Sequence, residues 1–407
     1  MRTLVQNGLL IDGLGNQFPG SFVDICDNMI QEVGAGKDVR RDVKYDTIID
    51  ATGKTVIPGM INCHVHLGMN AGAQPMHTLA VSTQLQVLMQ AIENVQKMVK
   101  NGITTVRDCG AKEFEILLLR DNVKKGVVPG PRILASQAIK ITGGHFTGRV
   151  VDGPIEAKRA VREQVFAGVD FVKLMASGGL GRANEQPGVP ELDVEEMQAA
   201  IREGKKHGLK ACAHAHSKQS MMNAIEAGVD TLEHCTFLDD EVTDTILRNK
   251  IPVVPTFQPY YQISTSAAGC GLPGFMVETA KMLYAEKLPR FQRALKAGIE
   301  IAFGTDAGAP FTPLEDMVTE TRIMVEMGMK PMEVIASCTS IAAKTIGLNE
   351  QLGSIQKGKL ADIVLLNENP LENIAKLGDV CCVIQNGRIV HSEGMDTTNR
   401  LKVGAFA

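Results

Sequence analysis

Five of the nine histidines fall in three short clusters, His64-Val65-His66, His214-Ala215-His216 and Glu233-His234. In an extended strand, residues two apart point the same way. His64 and His66 can therefore reach one ion from one edge. Neutral imidazole is the commonest ligand of zinc-like ions. The alternative for such histidines is packing in a core. Asp306, in Gly304-Thr-Asp-Ala-Gly308, offers a carboxylate either to an ion or to the start of a helix. Lys173 stands within Phe171-Val-Lys-Leu-Met175. A charged amine in that apolar segment is costly unless it is paired or neutralised. Paired, it reaches a carboxylate at the strand end. Neutral, it can add carbon dioxide, and the resulting carbamate is an anionic oxygen ligand able to bridge two metals.

These residues must be positioned by regular elements. The middle of the chain alternates candidate strands with helical patterns. Eight strands are predicted: Val56–Val65, Ile103–Cys109, Arg132–Ser136, Phe171–Met175, Lys210–Ala215, Thr231–Cys235, Pro252–Phe257 and Glu300–Thr305. The clearest helix runs from Asp193 to His207. Asp193 and Glu196 form a capping box, Val194, Met197, Ala200 and Ile201 make an apolar stripe, and Gly208 stops it. Helices are also predicted at Glu156–Ala167, Gln219–Ala227 and Glu241–Arg248. Eight such units over ~290 residues suit a (β/α)8 TIM barrel rather than an open doubly wound sheet. In that fold, functional side chains sit at the C-terminal ends of strands. Five of the nine histidines fall at such ends, as do Lys173 and Asp306.

Both termini are β-rich. Hairpins are predicted at Asn7-Gly8, Asp27-Asn28 and Asn386-Gly387, because these residue types accept positive φ. The expected organisation is a small β-sandwich domain from residues 1–57 and 354–407, with the barrel inserted at 58–353.

Composition narrows the function classes. There are 42 basic and 46 acidic residues, a net charge of −4. That argues against nucleic acid, whose binding needs phosphate neutralisation. No apolar run reaches ~18 residues, so no membrane helix is expected. The start of the chain shows no apolar signal region. The cysteines number nine, without a C-x-x-C pair, which suits reduced thiols in the cytoplasm. Cys63, Cys212 and Cys235 adjoin the candidate ligands but are expected in the core. The absence of Trp and the 4% aromatic content argue against an aromatic stacking module. Gly353-x4-Gly358-Lys359 has P-loop spacing, but Leu360 stands where Ser or Thr should bind magnesium. The expected partner is a small molecule. A homo-oligomer is expected only from the frequency of such assemblies.

Taken together, these residues resemble the amidohydrolase superfamily with a binuclear metal centre. Ile57-Pro-Gly-Met-Ile-Asn-Cys-His-Val-His66 resembles its opening motif and Gly358-Lys-Leu-Ala-Asp-Ile-Val364 its closing one. Within the superfamily, Ile141-Thr-Gly-Gly-His145 and Ala213-His-Ala-His216 are most similar to the zinc dipeptidases and carboxypeptidases of the prolidase group. Imidazolonepropionases, ochratoxin amidohydrolases and phenylurea hydrolases are related groups of other specificity.

The resemblance implies two divalent ions, expected to be zinc. His64, His66 and Asp306 would hold the buried ion and His214 and His234 the exposed one. Lys173 would bridge them as N6-carboxylysine. On strand five His214 is taken as the ligand, because its position matches the family pattern, and His216 then faces substrate. The implied reaction is amide hydrolysis by a metal-bridging hydroxide, with Asp306 as the catalytic proton carrier. The implied substrate is a dipeptide or N-acyl amino acid whose carboxylate meets His145 and either Tyr260 or Tyr261. Arg149 and Arg182 are further anion partners. Residues 178–184 are expected to form a loop over the site.

Three other readings compete. One is hydrolysis of a cyclic amide, aryl amide or urea. Another is a mononuclear deaminase, against which Lys173 and Ser217-Lys218 weigh. The last is a non-catalytic scaffold, against which the full set of ligand positions weighs.

Overall fold

The computed structural model describes residues 1–40, 42–110, 112–181, 185–266, 269–394 and 397–398. Five strands come from the N-terminal end: β1 (Arg2–Ile11), β2 (Gln17–Cys26), β3 (Met29–Ala35), β4 (Thr47–Asp50) and β5 (Thr55–Pro58). The middle supplies β6 (Met60–Val65), β7 (Ile103–Asp108), β8 (Arg132–Ala135), β9 (Ala138–Lys140) and β10 (Arg149–Val150). It continues with β11 (Phe171–Met175), β12 (Lys210–Ala215), β13 (Thr231–His234) and β14 (Val253–Val254). The C-terminal part adds β15 (Ile363–Leu366), β16 (Val380–Gln385), β17 (Arg388–Ser392) and β18 (Thr397–Thr398).

The two ends of the chain meet in one sheet, ordered β17-β16-β15-β5-β1-β2-β3, with β4 on β1 and β18 on β4. The ends join where β5 pairs antiparallel with β15, Val56 opposite Leu365. The hydrogen bonding runs unbroken through nine strands, where a sandwich of two sheets was expected. This sheet has its own apolar core, including Val5, Ile25, Ile49, Ile363 and Ile384. Two of the predicted hairpins form. Asp27-Asn28 joins β2 to β3, and Asn386 (φ 48) and Gly387 (φ 73) join β16 to β17. Asn7-Gly8 does not turn the chain. Asn7 takes φ 68 inside β1, at a register shift against β2. The positive φ is absorbed as a bulge in a continuing strand.

The middle strands are parallel. β6-β7-β8 form one ladder, and β9-β11-β12-β13-β14 form another with β10 beside β9. β8 leads directly into β9, and the amide of Asp170, just before β11, donates to the Ala135 carbonyl of β8 at 3.0 Å. At the other flank residues 301–307 bridge β14 and β6. Val253 pairs with Ile301 and Val65 with Ala307, and Asp306 N donates to His64 O at 2.9 Å. Phe171–Met175 and Lys210–Ala215 form as predicted. Three predicted strands differ. Val56–Val65 divides at Gly59 between the terminal sheet and the parallel one. Pro252–Phe257 shrinks to Val253–Val254, because Pro252 and Pro255 donate no ladder hydrogen bond. Glu300–Thr305 makes only bridges, as the positive φ of Asp306 (55°) ends regular pairing.

All four predicted helices form within two residues of their expected starts and ends, Val194–Lys205 with the Asp193/Glu196 capping box intact. Their apolar faces join the large core with Val172, Leu174, Ala213 and Leu232 from the strands. No helix among the described residues is long and apolar enough to cross a membrane.

Residues 301–307 pack tightly under the strand that carries His64. A Cβ on Gly304 would stand 2.4 Å from Val254 Cγ1 and 3.0 Å from His64 Cβ. Gly304→Ala is expected to cost about 1–3 kcal/mol, read as a lower midpoint in urea unfolding. A wild-type midpoint would contradict this close packing.

Candidate metal centre

The parallel strands bring the predicted residues to one place. His64 comes from β6 and His66 directly follows it, Lys173 comes from β11, His214 from β12, and His234 ends β13. His216 and Asp306 follow β12 and the 301–305 segment. The five histidines and Lys173 are buried, while the Asp306 side chain keeps 17% exposure. The rings form a chain: His64 to His234 at 4.8 Å, His234 to His214 at 4.4 Å and His214 to His216 at 4.6 Å between centroids. Asp306 Oδ1 lies 3.1 Å from His66 Nε2 and 3.6 Å from His64 Nε2. Ligand atoms of His64, His234 and Asp306 lie within 4.8 Å of one another.

Each ring has one nitrogen anchored outward. His64 Nδ1 meets Glu233 Oε2 at 2.7 Å, and His66 Nδ1 meets the Gly110 carbonyl at 3.1 Å. His234 Nδ1 meets Thr256 Oγ1 at 2.7 Å, and His216 Nδ1 meets Thr236 Oγ1 at 2.8 Å. His214 is the reverse, since its Nε2 faces the Gly178 carbonyl at 3.2 Å. Such outer partners orient a ring and decide which nitrogen remains for an ion. Glu233 is itself held by Arg107 Nη2 at 2.7 Å and by the Thr231 hydroxyl at 2.9 Å.

The electrostatics suit cation binding. Burial, then the charge of Lys173, pulls His64 down to about 4. Burial and neighbouring cationic groups also hold His214, His216 and His234 well below the usual histidine value. These imidazoles are neutral at pH 7 and have lone pairs to offer. Burial pushes Asp306 up, but the His66 hydrogen bond and the charges of His64, His66 and Lys173 outweigh it. The carboxyl lies at about 2. Lys173 Nζ is buried with no hydrogen-bond partner, a costly arrangement for an ammonium. Neutral imidazoles, an ionised carboxylate and a partnerless buried amine form a donor set that fits zinc-like divalent ions.

Above this cluster is a cavity of about 150 Å³, open to solvent at its mouth. His145 lines it and stacks on His214 at 4.5 Å. Its Nδ1 meets Glu185 at 2.7 Å, and its backbone N–H donates to Glu191 at 2.9 Å. Tyr260 is buried and lines the same cavity, its hydroxyl 3.4 Å from His216 Nε2. Tyr261 is absent from the lining and packs 5.8 Å from the Tyr284 ring. Arg149 pairs at the surface with Glu163 at 2.8 Å. Arg182, with residues 183 and 184 of the expected loop, lies outside the described residues. Cys63, Cys212 and Cys235 are buried in the apolar cores.

Several partners escaped the sequence reading. Glu233 precedes His234, and a buried acid beside a histidine was a legible signal. Arg107 lies on β7, where an arginine between Val106 and Asp108 hinted at a buried ion pair. Thr236, Thr256 and Glu185 carried no local signal.

The comparisons agree with this geometry. The chain matches the amidohydrolase family over residues 55–390. It is 29% identical to an ochratoxinase of Aspergillus niger, an alignment covering 91% of this chain and 82% of that protein. A solved Xaa-Pro dipeptidase with methionine bound in its active site is 31% identical. It superposes with a TM-score of 0.88 over 96% of this chain and 100% of that one. A prolidase solved with N-methylphosphonate-L-proline is 28% identical, with a TM-score of 0.89 over 97% of this chain and 100% of that one. A family match that runs from β5 into β17, with whole-length likeness to solved hydrolases, places the chain in the amidohydrolase family, as a hydrolase of carbon–nitrogen bonds.

Proposed function

We propose that this amidohydrolase is a binuclear, zinc-type enzyme that cleaves a dipeptide or N-acyl amino acid with a free carboxylate. The observation that carries this reading is the partnerless Lys173 Nζ in the middle of the ligand cluster. Carboxylation would turn that amine into an anionic bridge, N6-carboxylysine. His64, His66 and Asp306 then hold one ion, and His214 and His234 the other. The free nitrogens support this division. His214 has its Nδ1 left over, whereas His216 is engaged at both nitrogens, by Thr236 and by Tyr260. The hydrogen bond and bridges at the two flanks of the parallel ladders support a closed (β/α)8 barrel over 58–353, with the β domain from 1–57 and 354–407.

When bound, the ions supply Lewis acidity and hydroxide near neutral pH. The chain's residues do the rest. Asp306, ionised, would accept the proton of the attacking water and pass it to the leaving nitrogen. His145 and Tyr260 receive the substrate carboxylate, and His216 orients Tyr260. The methionine-bound dipeptidase among the similar structures supports an amino-acid product. The ochratoxinase relative supports an aryl amide as the second reading.

Lys173→Ala is expected to lose zinc and turnover together. Metal analysis should fall below two ions per chain. The ratio kcat/KM should fall at least ~100-fold, several kcal/mol of lost charge stabilisation. A Lys173→Ala protein with full zinc and full turnover would sink the bridged centre. His145→Ala should cost about 1.5–3 kcal/mol of charge-assisted hydrogen bonding, or roughly ten- to hundredfold in kcat/KM. The loss should appear on carboxylate substrates and vanish on their carboxamides. Equal losses on both would remove His145 from carboxylate recognition.

A further inference from the structure

The cavity above the histidines has a distinctive wall. Its described lining carries only two charged side chains besides histidine, Lys173 and Asp306, both in the cluster below. The rest of the lining is mostly apolar, with Gln74, His77 and Tyr260 as its polar side chains beside His145. Leu180 and Met76 line the cavity together with His145. Gly179 packs on the His145 ring, and a Cβ on Gly181 would stand 2.8 Å from the Met76 sulfur. Ile263 lies one turn after Tyr260 in the helix Gln258–Ser264. Met276 faces the cavity from the start of the helix Gly274–Ala297. The segments over the mouth are tied together by Gln74 Nε2, which donates to the Gly271 carbonyl at 3.2 Å.

Apolar side chains thus surround the two residues that receive the carboxylate. A charged substrate side chain there would lose water, and the described lining offers it no partner, the nearby Glu185 carboxylate being held by His145. We propose that Met76, Leu180, Ile263 and Met276 form a subsite for a bulky apolar side chain on the amino acid that the enzyme releases. The subsite rests on the carboxylate reading above. Pockets discriminate strongly when a charge or hydrogen-bonding group is left unpaired.

The test is initial-rate hydrolysis by the zinc-loaded full chain. The substrates are N-acetyl derivatives of leucine, methionine, phenylalanine, lysine, arginine and aspartate, with their carboxamides. The apolar acids are expected to exceed the charged ones at least ~100-fold in kcat/KM. Met276→Glu should raise the lysine-to-leucine ratio at least ~10-fold, and Met76→Glu serves if that variant does not fold. Comparable rates on charged acids overturn the subsite and leave the carboxylate reading standing. Equal cleavage of carboxamides, or cleavage of no acid, overturns that reading and the subsite with it.

A second, independent observation concerns a buried cation behind the site. Lys287 is fully buried in the helix Gly274–Ala297. Its Nζ donates to the carbonyls of Pro255 and Thr256. It stands 4.6 Å from the Tyr260 ring centroid and 4.9 Å from that of Phe257. Buried Glu320 accepts the N–H groups of Phe257 and Gln258 at 2.9 and 2.7 Å. The turn is therefore gripped by a cation on its carbonyls and a carboxylate on its amides. Thr256 needs the grip, because its φ of 50° is rare for a β-branched residue. Its hydroxyl is the one that anchors His234.

We infer that Lys287 is a positioning residue that sets Thr256 against His234 and Tyr260 against His216. Lys287→Met should bind zinc at least ~10-fold more weakly in competition with a chromogenic chelator. It should also raise KM for the carboxylate substrates. If it does not fold, Lys287→Met/Glu320→Gln, which removes both buried charges, is measured in the same way. A folded variant with native zinc affinity and native KM overturns the assignment.

Discussion

One buried carboxylate, Glu233, ties the interior of this molecule together. It has no exposure, and it accepts from His64 on one oxygen and from Arg107 and Thr231 on the other. Burial raises its pKa, but Arg107 and then His64 outweigh that and hold it at about 2. Removing one partner of such a pair leaves an uncompensated charge and costs about 3–5 kcal/mol. The pair therefore locks β6, β7 and β13 in one register. Arg107 adds to this by donating to the Cys63 carbonyl at 2.7 Å. His64 can turn its Nε2 toward Asp306 only because Glu233 holds the other nitrogen.

The same logic repeats around the cluster. Thr236, Thr256, Gly110 and Gly178 each take one histidine nitrogen. Burial and cationic neighbours keep His64, His214, His216 and His234 neutral, so the site is assembled as a donor set. Beneath and behind it lies a further layer of buried charge, Lys287 and Glu320. Burial draws Lys287 down and pushes Glu320 up, and the attraction between the two opposes both shifts. Rigid strands and buried ionic contacts fix the chemistry, and the apolar loops above contact what the chemistry acts on.

Much of the site was legible because metal-type side chains are rare in apolar strands. Lys173 stood out from four apolar neighbours, and the H-x-H of β6 declared its shared face by the period of a strand. His214 and His216 were a harder pair. Both enter the cluster, and only the hydrogen bonds of Gly178, Thr236 and Tyr260 distinguish their free nitrogens. Period two also failed at β13. Glu233 and His234 are consecutive, yet both approach His64. His234 takes φ 70 and Cys235 φ 52, so alternation stops where the strand ends. Asn7 misled for the related reason that a positive-φ residue serves a bulge as well as a turn.

The sequence by itself determined the kind of chemistry, the alternation of strands and helices, and the union of both termini in a β domain. These follow from side-chain type and local periodicity, which are written in consecutive residues. Tertiary structure alone decided that Tyr260 and not Tyr261 lines the cavity, that Glu233 and Arg107 sit beneath it, and that Lys287 supports it from behind. Lys287 and Thr256 are 31 positions apart, and Arg107 and Glu233 are 126 apart. Contacts at such separations arise from the packing of whole elements, and no local pattern of residues encodes them.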